Sequence, residues 1–539
     1  MGWQEESSGC LDQPGDVVVD VCCADYGVGL AATQKDYKVR AGEIRCEPGF
    51  GARRFFSVRG FVPTVFRSCH HNEEISMCGR VGKKLPMHGD SRLMSAVKAA
   101  WAATLLAVVP MVTGLVRPVV TPVPVEDWAA SFPPKRREDL LRIWKEGIEM
   151  PSQIRASSFI KRELTVKDAL DLSFKDPRFI QGCPLEMSVR CGPYLRKLAK
   201  HVRKGLRPKA WLPSDIRSGR QYVYTCGMSA QQVGEAFARG ISLIGGMCEP
   251  GEQVVFVEDD ESRFDLHLTE GPFSFLDAVY ARLLPRKLGR WLRRGVSRGR
   301  SNLGTRYSIP FTMQSGWPDT SVGDTLVNVA LKFAAHGRGG KWLTIICGDD
   351  SVTITTDKEL ASRGGLRGLK AVYEQHGMEV KMELRQNALD VEFCSGRFWP
   401  TREGFVLMPK TGKLLAKLGW DQLQRCERDQ EAWVRGIAAT LASYGALDPI
   451  LASMSKSVYR WVGRDGNTII ERNEYKHTLR GGVLADTTCT RDYMAHHYGL
   501  GERDIAELST MLSSLPRGAE IDDPRIAAMV RHDISPGGA

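Results

Sequence analysis

The sequence predicts an α+β protein of several subdomains behind an N-terminal extension. Three observations carry this. The chain has 539 residues, too many for one hydrophobic core, so two to four units are expected. From about residue 140, helical apolar periods alternate with short β-branched runs. Beyond residue 400 the pattern turns mostly helical. With 42% apolar and 25% charged residues the composition is ordinary globular protein and excludes a disordered tail.

The formal charge is +11, from 74 basic against 63 acidic residues. That excess alone points weakly to a polyanionic partner; its distribution says more. Fourteen cysteines are irregularly spaced, and the first residues hold no apolar secretory segment. A reducing compartment follows, with most cysteines as small buried apolar residues. The opening MGWQEES is not an N-myristoylation signal, because Glu6 holds the Ser/Thr position.

Residues 1–138 form the extension. Within it, SCHHNEEISMC (68–78) offers Cys69, His70, His71 and Cys78 as zinc ligands. Their spacing matches no usual knuckle, so a loop of unrelated side chains is the reading adopted. AAWAATLLAVVPMVTGLV (99–116) carries no charge for eighteen positions, the lower edge for a membrane-spanning helix. It is alanine-rich and contains Pro110, so a buried or membrane-surface helix is the plainer account. RPVVTPVPVEDWAASFPPKRRE (117–138) holds five prolines and reads as a stiff extended linker at a domain boundary.

Further on, QVVFV (253–257) and WLTII (342–346) read as buried strands. TSVGDTLVNVALKFAAHG has apolar residues at 322, 326, 329, 330 and 333, which is helical spacing closed by Gly337. LRGLKAVYEQHG is a second helix, closed by Gly377.

LTIICGDDSVTITT (343–356) sets Asp349 and Asp350 side by side in a hairpin turn. In a partly dry site their repulsion costs on the order of several kcal/mol. A solvent-exposed turn escapes that cost, and a divalent cation offsets it. Hard oxygen ligands on a rigid turn suit Mg²⁺. Two Mg²⁺ ions about 4 Å apart, with Mn²⁺ as a substitute, lower the pKa of an attacking hydroxyl and stabilise a leaving pyrophosphate.

That chemistry needs another acid from a neighbouring strand. QVVFVEDDESRFD (253–265) supplies Asp260 at a strand end, and Asp265 falls further along, where it could face a substrate. Asp259 and Glu261 add to the negative charge, so an acidic solvated loop is the alternative. In MQSGWPDTSVGDTLVN (313–328), Ser315 and Gly316 make a flexible turn, and Asp319 or Thr320 can cap the next helix. Thr320, Asp324 and Asn328 share one helical face. That stripe either meets a ribose or template, or is the exposed side of an amphipathic helix.

Two long stretches hold no acidic residue. Residues 187–214 carry eight Lys/Arg, and residues 278–318 carry nine. A third cluster (159–180) mixes Lys161, Arg162, Lys175 and Arg178 with acids. A charge run is usually a solvated face. Here the runs bracket the acidic centre, as phosphoryl transfer on a nucleic acid requires.

These blocks, in this order, resemble the RNA-dependent RNA polymerases of positive-strand RNA viruses, closest to the tombusvirus-like group, over about residues 150–400. DESRFD (260–265) is similar to the family's first palm motif. The resemblance implies that Asp260 binds metal, Asp265 senses the ribose 2′-hydroxyl and Arg263 lies close to the nucleotide. Ser315, Gly316 and Thr320 meet a second motif, but Asp324 stands where the family usually has Asn, which helps select ribonucleotides. CGDDS (347–351) resembles the metal-binding turn, with Asp349 the main ligand and Asp350 secondary. Lys381, in GMEVKMEL, is similar to the lysine proposed as general acid for pyrophosphate. VEFCSGRFWP (391–400) resembles the hairpin gripping the product strand. Lys161, Arg162, Lys175 and Arg178 resemble the fingers motif that channels the triphosphate.

The implied fold is a right hand: fingers at 139–252 and 271–314, an RRM-like palm at 253–270 and 315–400, and a helical thumb with the C-terminal tail at 401–539. The implied reaction is RNA-templated RNA synthesis from NTPs, in which template bases specify the sequence. Template and product RNA are the expected partners, with host membrane and other viral replication proteins. The expected location is the host cytoplasm, in a membrane-associated replication complex. The competing readings are a reverse transcriptase and a non-catalytic RNA-binding or membrane scaffold.

Overall fold

The structure is a computed structural model. It describes residues 51–535 apart from 84, 152, 172–175, 294, 422–426 and 471–486, together with short strands at Asp16–Val18, Asp20–Val21 and Lys38–Arg40. The elements that position the site are, in chain order, helices α1 (Ser91–Leu115) and α2 (Leu185–Leu206), strand β1 (Tyr222–Tyr224), helix α3 (Ala230–Gly245) and strand β2 (Val254–Glu261). Helices α4 (Glu270–Leu283) and α5 (Thr320–His336) follow, then hairpin strands β3 (Trp342–Cys347) and β4 (Asp350–Thr356), helix α6 (Gly365–Gln375) and strand β5 (Val380–Arg385).

The five strands form one sheet in the order β1–β3–β4–β2–β5, antiparallel except for β1 beside β3. Their apolar residues alternate between two cores, because successive side chains leave opposite faces. Val223, Phe256, Ile345 and Ile354 face a core built with α3. Tyr222, Tyr224, Val257 and Ile346 face a second core, built with α1, α2, α4, α5 and α6. In that second layer Asp259 of β2 pairs with Lys332 of α5, both essentially without solvent exposure. The Tyr373 and Ser351 hydroxyls also donate to Asp259, each at 3.3 Å. A buried ion pair needs such extra donors to offset its desolvation.

The expected strands at 253–257 and 342–346 and the helices ending at Gly337 and Gly377 are all present. The region beyond 400 holds helices at Thr411–Leu418, Glu427–Tyr444, Pro449–Val462, Thr487–Tyr498, Glu502–Ser513 and Pro524–Ile534.

Two expectations need correction. The proline-rich stretch 117–138 is not a simple extended linker. Pro124 and Pro133 precede helices Val125–Ala129 and Pro134–Lys145, and Pro134 opens the second, where a missing N–H costs nothing. Val125, Trp128 and Ala129 are buried there. The N-terminal residues are likewise not a body apart. Gly51–Arg54 pairs with Trp420–Asp421, Ser57–Val58 with Glu520–Ile521, and Phe61–Phe66 with Thr165–Asp168.

The uncharged run 99–116 is also fixed to the body. It belongs to α1, which is long and apolar enough to cross a membrane, yet Val97, Trp101, Val108, Val109 and Val112 are buried in protein. The Trp101 indole donates to the His376 carbonyl (2.9 Å), and Thr104 bonds the His376 ring (2.8 Å). Its outer side, with Ala102, Ala103, Leu106 and Ala107, is exposed.

In the 68–78 segment, His70 and His71 open a short helix with ring centroids 6.1 Å apart, and the Cys78 side chain lies outside the described residues. Cys69, His70 and His71 form no ligand cluster.

Candidate active site

The sheet register brings the distant acids together. Strands β3 and β4 close over the two-residue loop Gly348–Asp349, with Cys347 opposite Asp350. Gly348 has φ 71°, the left-handed value that tight hairpin loops place at a glycine. On the next strand, Asp259 pairs with Ser351, so one step on brings Asp260 level with Asp350. Asp260 in turn lies directly opposite Lys381 of β5. Directly opposed residues project from the same face. Asp350, Asp260 and Lys381 therefore form a row across three strands, with Asp349 at the tip beside it. Asp260, Asp349 and Lys381 are exposed and Asp350 half-buried, so this end of the face is open.

The field there is strongly negative. Surrounding protein holds the Asp349 carboxyl above the usual range; the Arg178 charge opposes this and the Asp260 charge adds to it. Glu261, on the opposite face of β2, is buried at 3% exposure. Burial pushes its pKa well up, and the charges of Asp349, Asp324, Asp260 and Asp350 push it further. Neither Glu261 oxygen has a hydrogen-bond partner among the described residues. Asp260, Asp349 and Asp350 do not bring one oxygen each within 4.8 Å of one another. The donor set is nonetheless all carboxylate oxygen, which fits a hard divalent cation.

Helix α5 fixes the turn. The Asn328 amide donates to the Gly348 and Asp349 carbonyls, each at 3.2 Å, and the Gly348 N–H donates to the Thr325 hydroxyl at 3.0 Å. Asp324 and Asn328 are buried, so the polar stripe is not the outside of an amphipathic helix. Asp319 does not cap α5 with its side chain; it accepts from the Tyr280 hydroxyl at 3.2 Å. Thr320 opens the helix and donates to the Gln314 carbonyl at 2.8 Å.

Gly316 approaches the strand Phe179–Gly182 so closely that a Cβ would sit 2.7 Å from the Gln181 carbonyl oxygen. The neighbouring Ser315 hydroxyl is buried with no hydrogen-bond partner among the described residues.

Basic groups rim the acids. The Lys161 N–H donates to the Arg178 carbonyl at 2.8 Å, and Glu163 pairs with Lys161 at 2.8 Å and Arg178 at 3.7 Å. Arg162, next to them, is half-buried. Lys175 lies outside the described residues. Arg263 has a left-handed backbone (φ 51°) and pairs with Asp176 at 2.8 Å. The Asp265 carbonyl accepts from Met313 N–H at 3.2 Å, tying the two motifs together.

Sequence reasoning missed Arg80. Burial holds its pKa down, the Arg178 and Arg263 charges act in the same direction, and Asp265 and Asp176 oppose them. It therefore stands within the charge reach of Arg178, Arg263, Asp265 and Asp176, although it belongs to the short helical turn Met77–Val81. No motif marks it. Thr325, Asn328 and Asp176 had only spacing or local charge to point to them.

Part of the 278–318 run lies on a hairpin of Val296–Ser301 and Arg306–Pro310. Arg300 is opposite Arg306, and Arg306 is opposite Arg40 of a third strand. Arg298, Arg300 and Arg306 are exposed, alternating with buried Ser297, Gly299 and Ser301. Like charges directly opposed destabilise a sheet, so the arrangement favours a polyanion on this face.

No curated protein matches the chain. A family model described as viral RNA dependent RNA polymerase matches residues 161–479, more than half of the chain. That span holds the level row of Asp350, Asp260 and Lys381, the turn clamped by α5 and most of the basic rim. The chain belongs to the viral RNA-dependent RNA polymerases.

Proposed function

We propose that this viral RNA-directed RNA polymerase works by two-metal nucleotidyl transfer, in a right-hand arrangement like that of the tombusvirus-like group. The single observation that carries the reading is the level row of Asp350, Asp260 and Lys381 at the open end of one sheet face. In this reading 139–252 and 271–314 are fingers, 253–270 and 315–400 palm, and 401–539 thumb. Polymerases of this family use divalent ions, an RNA template and NTPs.

Asp260, Asp349 and Asp350 would hold Mg²⁺, or Mn²⁺ in its place. When bound, the ions activate the RNA 3′-hydroxyl and stabilise the leaving pyrophosphate. Lys381 faces the same opening and donates a proton to the departing group. Lys161, Arg162, Lys175, Arg178 and Arg263 neutralise the triphosphate, with Arg80 behind them. Asp265, Ser315, Gly316, Thr320 and Asp324 line the ribose side, and the Ser315 hydroxyl has hydrogen-bonding capacity to spare. The exposed arginines of 296–310 track RNA phosphates.

We place the protein in the host cytoplasm, in a membrane-associated replication complex with other viral proteins. The outer side of α1 would touch the bilayer surface; spanning would strip Trp101 and Thr104 from His376. The family match displaces the reverse-transcriptase and scaffold readings.

The test is incorporation of NTPs and dNTPs by the full chain on an RNA template with Mg²⁺ or Mn²⁺. Asp349→Ala should abolish ribonucleotide incorporation and leave RNA affinity unchanged. Wild-type incorporation by that variant would overturn the assignment.

A further inference from the structure

We propose that Asp390, His496 and His497 form a zinc site, remote in sequence from the acidic turn, that ties a C-terminal helix to the chain entering the 392–409 strands. These three side chains bring one ligand atom each within 4.8 Å of one another. No other trio among the described residues does so.

The two histidines sit on the helix Thr487–Tyr498, and Asp390 ends the single turn Ala388–Asp390. That turn is held by Asn387, whose side chain accepts from Leu389 N–H at 3.0 Å. The helix is anchored by Tyr493, stacked on Trp399 with ring centroids 3.9 Å apart. Both halves of the site therefore rest on packed structure.

The ligand chemistry is consistent at each residue. His496 Nε2 lies 2.6 Å from Asp390 Oδ1. Without metal a proton bridges these atoms; a cation can take the proton's place. His497 Nε2 lies 3.1 Å from the Leu389 carbonyl. A carbonyl only accepts, so Nε2 carries the hydrogen and Nδ1 keeps its lone pair. Such a backbone bond is how metal-binding imidazoles are commonly oriented.

The nearby Arg397 does not repel a cation outright, because Glu392 and Asp533 pair with it at 2.9 and 2.7 Å. Two imidazoles and one carboxylate favour Zn²⁺ over Mg²⁺ or Ca²⁺. His496 and Asp390 keep 35% and 39% side-chain exposure, which gives the ion a way in and leaves a coordination position for water.

The test uses the full chain, stripped by a chelator and titrated with zinc against a chromophoric competitor. The comparison protein carries Asp390→Asn and His496→Gln. Both positions are partly exposed, and equal melting temperatures of the two metal-free proteins will establish that the variant folds. The wild type should bind one more equivalent than the variant. Zinc should raise the melting temperature of the wild type only. Equal stoichiometry in both proteins would overturn the proposal, placing the metal on other groups such as cysteine thiols. Failure of the wild type to take up zinc at micromolar free metal would also overturn it, leaving a plain His–Asp ion pair. Neither readout requires RNA synthesis, so the polymerase assignment is tested separately.

Discussion

Asn328→Ala is the sharpest test of how the acidic turn is held. Asn328 is fully buried, and its amide is the donor to both the Gly348 and Asp349 carbonyls. Alanine removes both bonds. Each contributes about 1 kcal/mol net, and a buried carbonyl left without a partner costs about 1–3 kcal/mol. Asp349 is exposed and its carbonyl can recover water; Gly348 is buried and its carbonyl cannot. The total is about 2–4 kcal/mol against the observed turn, or roughly 30- to 900-fold in its population. The Gly348 N–H keeps its bond to Thr325, so the hairpin stays attached at one point. Single-turnover incorporation at saturating RNA should therefore slow by about that factor, with RNA affinity within about twofold of wild type. Asn328→Asp should be slower still, because it removes the donor and adds charge to an acidic field. Wild-type turnover in Asn328→Ala would refute the view that this helix sets the turn's geometry. A loss of RNA affinity as large as the loss in rate would refute it too.

Lys332→Met strands the Asp259 carboxylate in the core and should lower unfolding free energy by about 3–5 kcal/mol; adding Asp259→Asn should restore much of it in chemical denaturation. Arg300→Gln with Arg306→Gln should flatten the log–log salt dependence of RNA binding by about 1.4–1.8, with incorporation at saturating template unchanged. Burial raises Asp448 to about 6, against bonds from Thr411, Leu451 and Ile450. The folded state therefore keeps this proton to higher pH than the unfolded chain, and stability falls as pH rises from about 4 to about 6, by on the order of 3 kcal/mol. Asp448→Asn should remove that slope in melts across the same window while still capping its helix.

Local signals made the central hairpin legible. A β-branched run, a glycine and a second β-branched run specify strand, tight turn and strand within a few residues. Asp260 was readable because its strand is equally apolar and ends in acid. What stayed hidden depends on pairing across long separations. Nothing near Arg80 announces that its turn packs beside Asp265, and nothing in Ser57–Val58 names Glu520–Ile521 as its partner. The prolines of 117–138 misled in another way. Proline is equally at home in an extended segment and at a helix's first turn, and burial of Trp128 decided between them. The histidine pair at 496–497 carries meaning only once Asp390 is folded against it.

The pairing of Ser57–Val58 with Glu520–Ile521 has a temporal consequence. The second partner lies 463 residues downstream. At roughly 5–20 residues per second, a ribosome needs roughly half a minute to a minute and a half to deliver it. Throughout that interval the nascent enzyme carries an unmatched strand edge, exposed to chaperones or to a neighbouring copy. Maturation should therefore come as a late closing event rather than by steady growth of activity as the chain emerges.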